Sequence, residues 1–140
     1  MTLPPDSYVD SMPSDPALLV DLGRVTWAAA RLHSGVRDAV NAHNGVPSDE
    51  PFTWTLGQAV GALERLARMN SRPDQLEWVT REGRPAVRRR NAVVHAVMFT
   101  ASDGQQAIGT VDHSPPGRFV TEDLRTVTRH LIGASMSLPR

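Results

Sequence analysis

The feature that most constrains the fold of this 140-residue chain is a long apolar stripe near its amino end. Its members recur at steps of three and four residues, which is the spacing of one face of an α-helix. Ser14-Asp15-Pro16 predicts the start of this helix, with a cap and a proline near the first helical position, and Asn44-Gly45 predicts its end. A helix of this kind is stable only when other elements cover its apolar face, so the stripe predicts a helical bundle. The stripe comprises Leu18, Leu22, Val25, Ala29, Leu32, Val36 and Val40.

Two further helical regions follow. Thr55 and Gln58 have the spacing of a capping box and predict the start of the second helix, whose stripe includes Leu63 and Met69. The next region covers 73–99 and is predicted to kink or break at Gly83 to Pro85, then to continue as a helix from Pro85. Gly57 and Gly61 share one face of the second helix, which favours close approach of another helix. The core is also expected to hold the tryptophans Trp27, Trp54 and Trp78.

The segment before the last helix does not have helical spacing. The turn Ser102-Asp103-Gly104 separates two short apolar runs and predicts a β-hairpin, and a Pro-rich loop follows it. Thr121 then caps a final helix. The predicted fold class is all-α: a small antiparallel helical bundle with a short β-hairpin insertion before the last helix. We expect a flexible tail over 1–13 and a single domain over 14–140.

Composition excludes several kinds of protein. Cysteine is absent, which excludes disulfide frameworks, thiol catalysis, cysteine zinc sites and iron–sulfur clusters. His33 and His43 do not form a metal-ligand pair, and no phosphate loop or dinucleotide motif is present, so we expect neither metal nor cofactor. The first residues lack the pattern of a signal peptide, and no apolar run is long enough to span a membrane. A cytoplasmic protein without membrane contact is expected.

The charges cancel in total but not along the chain. All fifteen basic residues are arginine, against fifteen acidic residues, and an arginine bias of this kind is typical of a GC-rich genome. Residues 51–100 hold eight arginines against four acids. Within them Arg84, Arg88 and Arg89 belong to a basic patch that can attract phosphate, and we take these three as candidate phosphate-binding residues. A solvated helix face is the alternative interpretation of the same patch.

The helix from Pro85 carries the most informative residues. At about 100° per residue, Arg90 falls near the middle of an apolar stripe, and Asn91 and His95 lie beside that stripe. Burying a guanidinium in a packing face costs free energy unless the group is paired with an acid or stays hydrated. Arg90 could therefore snorkel to the edge of the bundle or pair with an acid such as Glu64, with His95 an ordinary boundary histidine. Alternatively, the Asn91 amide orients the His95 imidazole and Arg90 binds a phosphate.

The run Arg90-Asn91-Ala92-Val93-Val94-His95 resembles the R-x4-6-H motif of HEPN domains (higher eukaryotes and prokaryotes nucleotide-binding). The polar residue after the arginine and the surrounding helices are also similar, over about residues 15–138. The resemblance implies a metal-independent endoribonuclease that acts as a homodimer through the motif helix. It implies Arg90, Asn91 and His95 as catalytic residues, and products with 2′,3′-cyclic phosphate and 5′-hydroxyl ends.

The same resemblance implies a toxin–antitoxin or phage-defence setting, with a possible antitoxin or regulatory protein as partner. Toxin-type members often have a tyrosine two residues after the histidine, and Val97 occupies that position here. Two alternatives stay open. One is a catalytically inactive HEPN module that binds RNA, a nucleotide or a partner protein, and the other is a structural helical dimer that associates through the Gly57 and Gly61 face. The sequence names neither the RNA nor the role of 97–120.

Overall fold

The computed structural model describes residues 1–10, 15–47, 53–95, 97–100, 106–109, 118–119 and 121–140, with side chains outside 97–122. The described part consists mainly of helices. A single turn of π-helix at Val79–Gly83 connects the helices Pro73–Trp78 and Arg84–Val94 without a break. The elements are α1 (Asp6–Asp10), α2 (Pro16–Asn44), α3 (Leu56–Met69), α4 (Pro73–Trp78), α5 (Arg84–Val94), β1 (Val97–Thr100), β2 (Gln106–Gly109), β3 (Arg118–Phe119) and α6 (Thr121–Ser137).

The predicted ends of α2 and the predicted start of α3 are confirmed. Asp15 caps α2, because its Oδ1 accepts hydrogen bonds from the backbone N–H groups of Ala17 (3.0 Å) and Leu18 (3.2 Å). Gly45 ends α2 with a φ of 65°, the left-handed conformation that glycine adopts without steric cost. Thr55 and Gln58 form the capping box at the start of α3.

The apolar stripe of α2 forms the centre of the core, as its spacing predicts. Five of its seven members are buried, and Leu22 and Ala29 pack against them while partly buried. Among the described residues the buried apolar side chains lie on helices or on the π turn, apart from Leu138 just after α6. The prediction of an all-α core is therefore confirmed.

The sequence predicted an antiparallel bundle, but some neighbouring helices run parallel. Near the start of both helices Asp21 of α2 pairs with Arg125 of α6, and near their ends Gly35 faces Leu138 just after α6, so α2 and α6 run in the same direction. The segment α4 to α5 runs in the opposite direction, since Trp78 at the end of α4 bonds to Ala134 near the end of α6, whereas Ala92 near the end of α5 lines a groove with Asp123 near the start of α6.

The length of the connection between α2 and α3 allows this arrangement. Leu56 at the start of α3 lies near the first half of α2, and Asn70 just after α3 contacts His43 at the end of α2, so these two helices are also parallel. A parallel neighbour requires a connection that returns along the helix. Residues 45–55 can extend over roughly 35 Å at about 3.3 Å per residue, whereas α3 is only about 21 Å long. Short loops between helices would have favoured antiparallel neighbours.

The π turn lies where the sequence predicted a kink or break. Gly83 ends this turn, and a Cβ built there would lie 2.7 Å from Cζ3 of Trp78. The Trp78 ring is 4 % exposed and its Nε1 donates a hydrogen bond to the carbonyl of Ala134 (3.0 Å). Glycine at 83 therefore gives the indole room to pack, and α5 follows with Pro85 in its first turn, where a missing N–H is tolerated.

We expect Gly83→Ala to lower the free energy of unfolding by about 1–3 kcal/mol, because the new methyl group overlaps a ring that cannot move without losing its hydrogen bond. Gly23→Ala is the matched control. Gly23 lies within α2, and a Cβ added there would have nothing within 4 Å, so the substitution should be neutral or stabilise the helix by up to about 1 kcal/mol. Urea unfolding of both variants measures the difference, and equal effects of the two substitutions would contradict the assigned role of Gly83.

The helical region that was predicted to reach residue 99 ends at Val94. Backbone pairing begins at Val97, where β1 runs antiparallel to β2 with Val97 opposite Gly109, and β3 pairs antiparallel with β2. Val97 and Met98 therefore lie outside the helix that carries Arg90. The predicted turn Ser102-Asp103-Gly104 lies outside the described residues.

Several predicted core residues are instead exposed. Trp27 is 78 % exposed and Trp54 is 41 % exposed, so only Trp78 is the core anchor expected of the three tryptophans. Met69 is likewise on the surface at 78 %. Trp27 shows why: it neighbours the buried Ala28 on α2, and a difference of about 100° is enough to turn a side chain away from the core.

Within the predicted tail over 1–13, Asp6–Asp10 form the short helix α1, none of whose residues is buried. Gly57 and Gly61 do not mark a close helix contact within the chain, because added Cβ atoms would meet only Val87 at 3.5 Å and Arg65 at 3.8 Å. These are ordinary contact distances.

Candidate functional site

Helix α5 presents Arg90 toward the first half of α2. The predicted position in an apolar stripe is observed, because Arg90 shares a concave surface with the buried side chains Val25, Leu56 and Val93. The concave surface encloses a cavity of about 490 Å³. We call it the Arg90 cavity, and its lining residues are Leu22, Val25, Thr26, Ala29, Ala30, His33, Leu56, Arg90, Val93 and Val94.

The Arg90 guanidinium is held by its neighbour in the chain. Its Nη1 donates a hydrogen bond to Oδ1 of Asn91 at 3.0 Å. Among the described residues, no carboxylate lies within ion-pair distance of Arg90. The alternative in which Glu64 neutralises Arg90 is therefore wrong, and a partly buried guanidinium keeps its full charge at the edge of an apolar cavity.

His95 lies just beyond the last residue of α5 rather than within the helix. Its backbone N–H still donates to the carbonyl of Asn91 (2.9 Å), and its φ and ψ of −94° and 9° end the helix. The imidazole is exposed. Asn91 does not orient this ring in the described structure, since its side-chain oxygen accepts from Arg90 instead. The three motif residues are thus close in the chain, but the side-chain hydrogen bond that the structure shows among them joins Arg90 to Asn91.

The basic patch is less uniform than the sequence indicates. Arg84 pairs with Oε2 of Glu64, whose Oε1 also accepts a hydrogen bond from Arg68 (3.1 Å). This carboxylate lowers the net charge around Arg84 and ties α3 to α5. Arg88 and Arg89 face a separate groove of about 410 Å³ between α5 and α6. No ion pair to a described residue neutralises either of them.

His33 is a residue of the Arg90 cavity that sequence reasoning missed. It lies on α2, four residues after Ala29, and its Nε2 is shielded from solvent. The signal was present in the stripe itself, because a step of four residues continues the face that carries Leu22 and Ala29. Only the tertiary arrangement, which places α5 across a cavity from α2, reveals that this histidine and Arg90 line the same space.

A second polar cluster at the other end of the bundle ties the end of α2 to the carboxyl-terminal segment. The ring of His43 bonds through Nε2 to Oε1 of Gln75 (2.6 Å), and Asn70 donates to its Nδ1 (3.2 Å). Gln75 is 2 % exposed and donates in turn to the carbonyl of Pro139 (3.2 Å). These bonds require the His43 proton on Nε2 and use both ring nitrogens, so the cluster has a structural role.

Arg72 and Asp74 form the exposed rim of this cluster. Their bidentate hydrogen bonds (3.0 and 2.9 Å) hold the pKa of Asp74 below its ordinary value and raise the pKa of Arg72. A carboxylate with a lowered pKa stabilises the fold at pH values above the ordinary aspartate pKa. This stabilisation is lost as the pH falls through the lowered pKa. Both side chains face water, so the effect on stability is small.

Two general findings complete the description. Over the residues that the structure describes, no group of three or more histidines and carboxylates is arranged to hold a metal ion. None of the described helices combines the length and hydropathy needed to cross a bilayer.

Comparison of the chain with protein-family models, with curated proteins and with solved structures gives no match. Assignment of a function therefore depends on the residues and their geometry alone.

Proposed function

We propose that this chain is a HEPN-type endoribonuclease that works without a metal ion and acts as a homodimer. The observation that carries the proposal is an Arg90 guanidinium without a carboxylate partner in the described part of the chain. Asn91 holds this guanidinium, and the exposed His95 follows directly after the end of the same helix. A positive charge available for phosphate and an accessible imidazole are the two groups that this chemistry needs.

In the proposed reaction the 2′-oxygen of a ribose attacks the adjacent phosphorus and the bond to the 5′-oxygen breaks. As general base, His95 takes the 2′-hydroxyl proton while water protonates the leaving 5′-oxygen. As general acid, it protonates the 5′-oxygen while water accepts the 2′-hydroxyl proton. Arg90 stabilises the negative charge that develops on the phosphate oxygens, and Asn91 restrains the guanidinium. The products carry a 2′,3′-cyclic phosphate and a 5′-hydroxyl.

A homodimer is proposed because one protomer does not bring the two side chains together. Five residues separate Arg90 from His95, which places them about 140° apart around the helix axis. Packing of two motif helices would bring Arg90 of one copy near His95 of the other. Val94 lies between them in sequence and is 56 % exposed, so it offers an apolar contact for such packing.

RNA is proposed to bind along the side of α5 that carries Arg88 and Arg89. Arg84 contributes less than its sequence position suggests, since Glu64 is paired with it. A toxin–antitoxin or phage-defence setting in the cytoplasm, with an antitoxin or regulatory protein as partner, belongs to the same proposal. A catalytically inactive HEPN module that binds RNA or a partner is the competing proposal, and the cleavage assay distinguishes the two.

The test is incubation of the purified protein with mixed single-stranded RNA in the presence of EDTA. We expect cleavage at an undiminished rate, with fragments whose 5′ ends accept phosphate from a kinase without prior phosphatase treatment. Loss of cleavage in EDTA would exclude the proposed mechanism. Saturable RNA binding that weakens with salt but yields no fragments would instead favour the inactive module.

A further inference from the structure

The Arg90 cavity has the composition of a small-molecule site rather than of a gap in the core. Its volume of about 490 Å³ lies within the range of ligand pockets, and its walls are mainly aliphatic. The cavity brings α2, the start of α3 and α5 together around one charged group. We propose that it binds a small amphipathic carboxylate, with the aliphatic body against the α2 and α3 walls and the carboxylate on Arg90.

The aliphatic body of the ligand follows from the walls. Leu22, Val25, Ala29, Leu56 and Val93 present only hydrocarbon to the cavity. A ligand that replaces water against these side chains gains the hydrophobic free energy of the area it covers, about 25 cal/mol for each Å².

The carboxylate follows from the remaining donors of Arg90. Nη1 donates to Asn91, and no other hydrogen bond from the guanidinium reaches a described residue. A guanidinium offers parallel N–H groups that match the two oxygens of a carboxylate, and such charge-assisted pairs are strong where water is scarce. His33 lines the same cavity.

A nucleotide is a poorer fit for this cavity. Proteins hold bases between aromatic rings, and no phenylalanine, tyrosine or tryptophan occurs among the described lining residues. Thr26 is the hydroxyl in the lining, and it already donates to the carbonyl of Leu22 (3.2 Å). Little is therefore left to read the edge of a base.

Binding of a carboxylate does not depend on RNA cleavage and is measured without RNA. If the proposed function also holds, the ligand and the RNA phosphate compete for Arg90, so the cavity would regulate the ribonuclease. That consequence rests on the proposed function, whereas the binding itself does not.

The probe is octanoate, titrated into the full chain by calorimetry, with 1-octanol as the uncharged analogue. We expect saturable binding of octanoate that is about tenfold or more tighter than that of octanol, because the charged hydrogen bonds are lost with the alcohol. Arg90→Gln should weaken octanoate binding by a similar factor. Arg129→Gln, at an exposed position on α6 outside the lining of the cavity, should leave it unchanged.

A second variant tests the location independently of the charge. Ala29→Phe fills the cavity from α2 while leaving Arg90 in place, so it should abolish octanoate binding. Circular dichroism of each variant confirms that the helices remain. Absence of saturable binding to the wild type, equal binding of octanoate by Arg90→Gln, or tighter binding of adenosine monophosphate than of octanoate would each overturn the proposal.

Discussion

Replacing His95 by alanine is expected to reduce RNA cleavage by about 10²-fold or more without changing the stability of the fold. The magnitude is that of a lost general acid or base. The fold is spared because the imidazole is exposed, and the contact of His95 with α5 that the structure shows is made by its backbone N–H. Initial cleavage rates under single-turnover conditions measure the effect, and thermal unfolding checks the fold.

Arg90→Ala is expected to reduce the same rate by about 10²- to 10³-fold, since it removes the charge that faces the developing phosphate anion. Arg129→Ala is the matched control, because Arg129 is exposed on α6 and has no ion pair to a described residue. A rate loss in Arg129→Ala comparable with that of Arg90→Ala would indicate general electrostatic binding instead of a specific site.

Mixing the two inactive variants tests the dimer. If each site uses Arg90 of one protomer and His95 of the other, a heterodimer of Arg90→Ala with His95→Ala contains one intact site. Co-refolded mixtures should therefore recover a measurable part of the cleavage that neither variant has alone. Recovery would not occur if both residues acted from the same protomer, because each protomer of the mixture lacks one of them.

Trp78→Ala is expected to lower the free energy of unfolding by about 3–5 kcal/mol, the largest stability change that we predict for a single substitution. The substitution leaves a cavity beside Gly83 and removes the donor to the Ala134 carbonyl, which joins α4 to α6. The Ala134 carbonyl keeps a donor in the hydroxyl of Ser137 (3.3 Å), so the main cost is the loss of the buried ring. Urea unfolding at fixed protein concentration measures the difference.

Trp27→Ala is the control for this experiment, because it removes the same side chain from a position that is 78 % exposed. We expect a change within about 0.5 kcal/mol. The same measurement also tests the corrected assignment of the tryptophans. A large loss of stability in Trp27→Ala would show that this ring is covered in solution.

The sequence predicted local features well where one or two side chains determine the backbone. The caps at Asp15 and Thr55 and the stop at Gly45 are found where their residue types predicted them. Each of these features depends on hydrogen bonds within about one helical turn, so no distant contact decides them. The burial of the α2 stripe follows from the same local period.

Helix directions could not be predicted in this way. Two helices that are neighbours in sequence can lie parallel when their connection is long, and nothing in the local pattern states which choice is made. Asp21 illustrates the point: its carboxylate is 3 % exposed and pairs with Arg24 on its own helix and with Arg125, more than a hundred residues later. Only the packed structure brings that second partner into reach.

For the candidate site, too, some features follow from the local sequence and others from tertiary packing. The sequence by itself determined that Arg90 lies in an apolar face of its helix, because a period of 3.6 residues assigns every side chain an angle. Tertiary structure decided that Glu64 pairs with Arg84 instead and that His33 of α2 lines the same cavity. These outcomes depend on which helices meet and at what depth. That choice is set by the burial of the whole core, to which residues far apart in the chain contribute together.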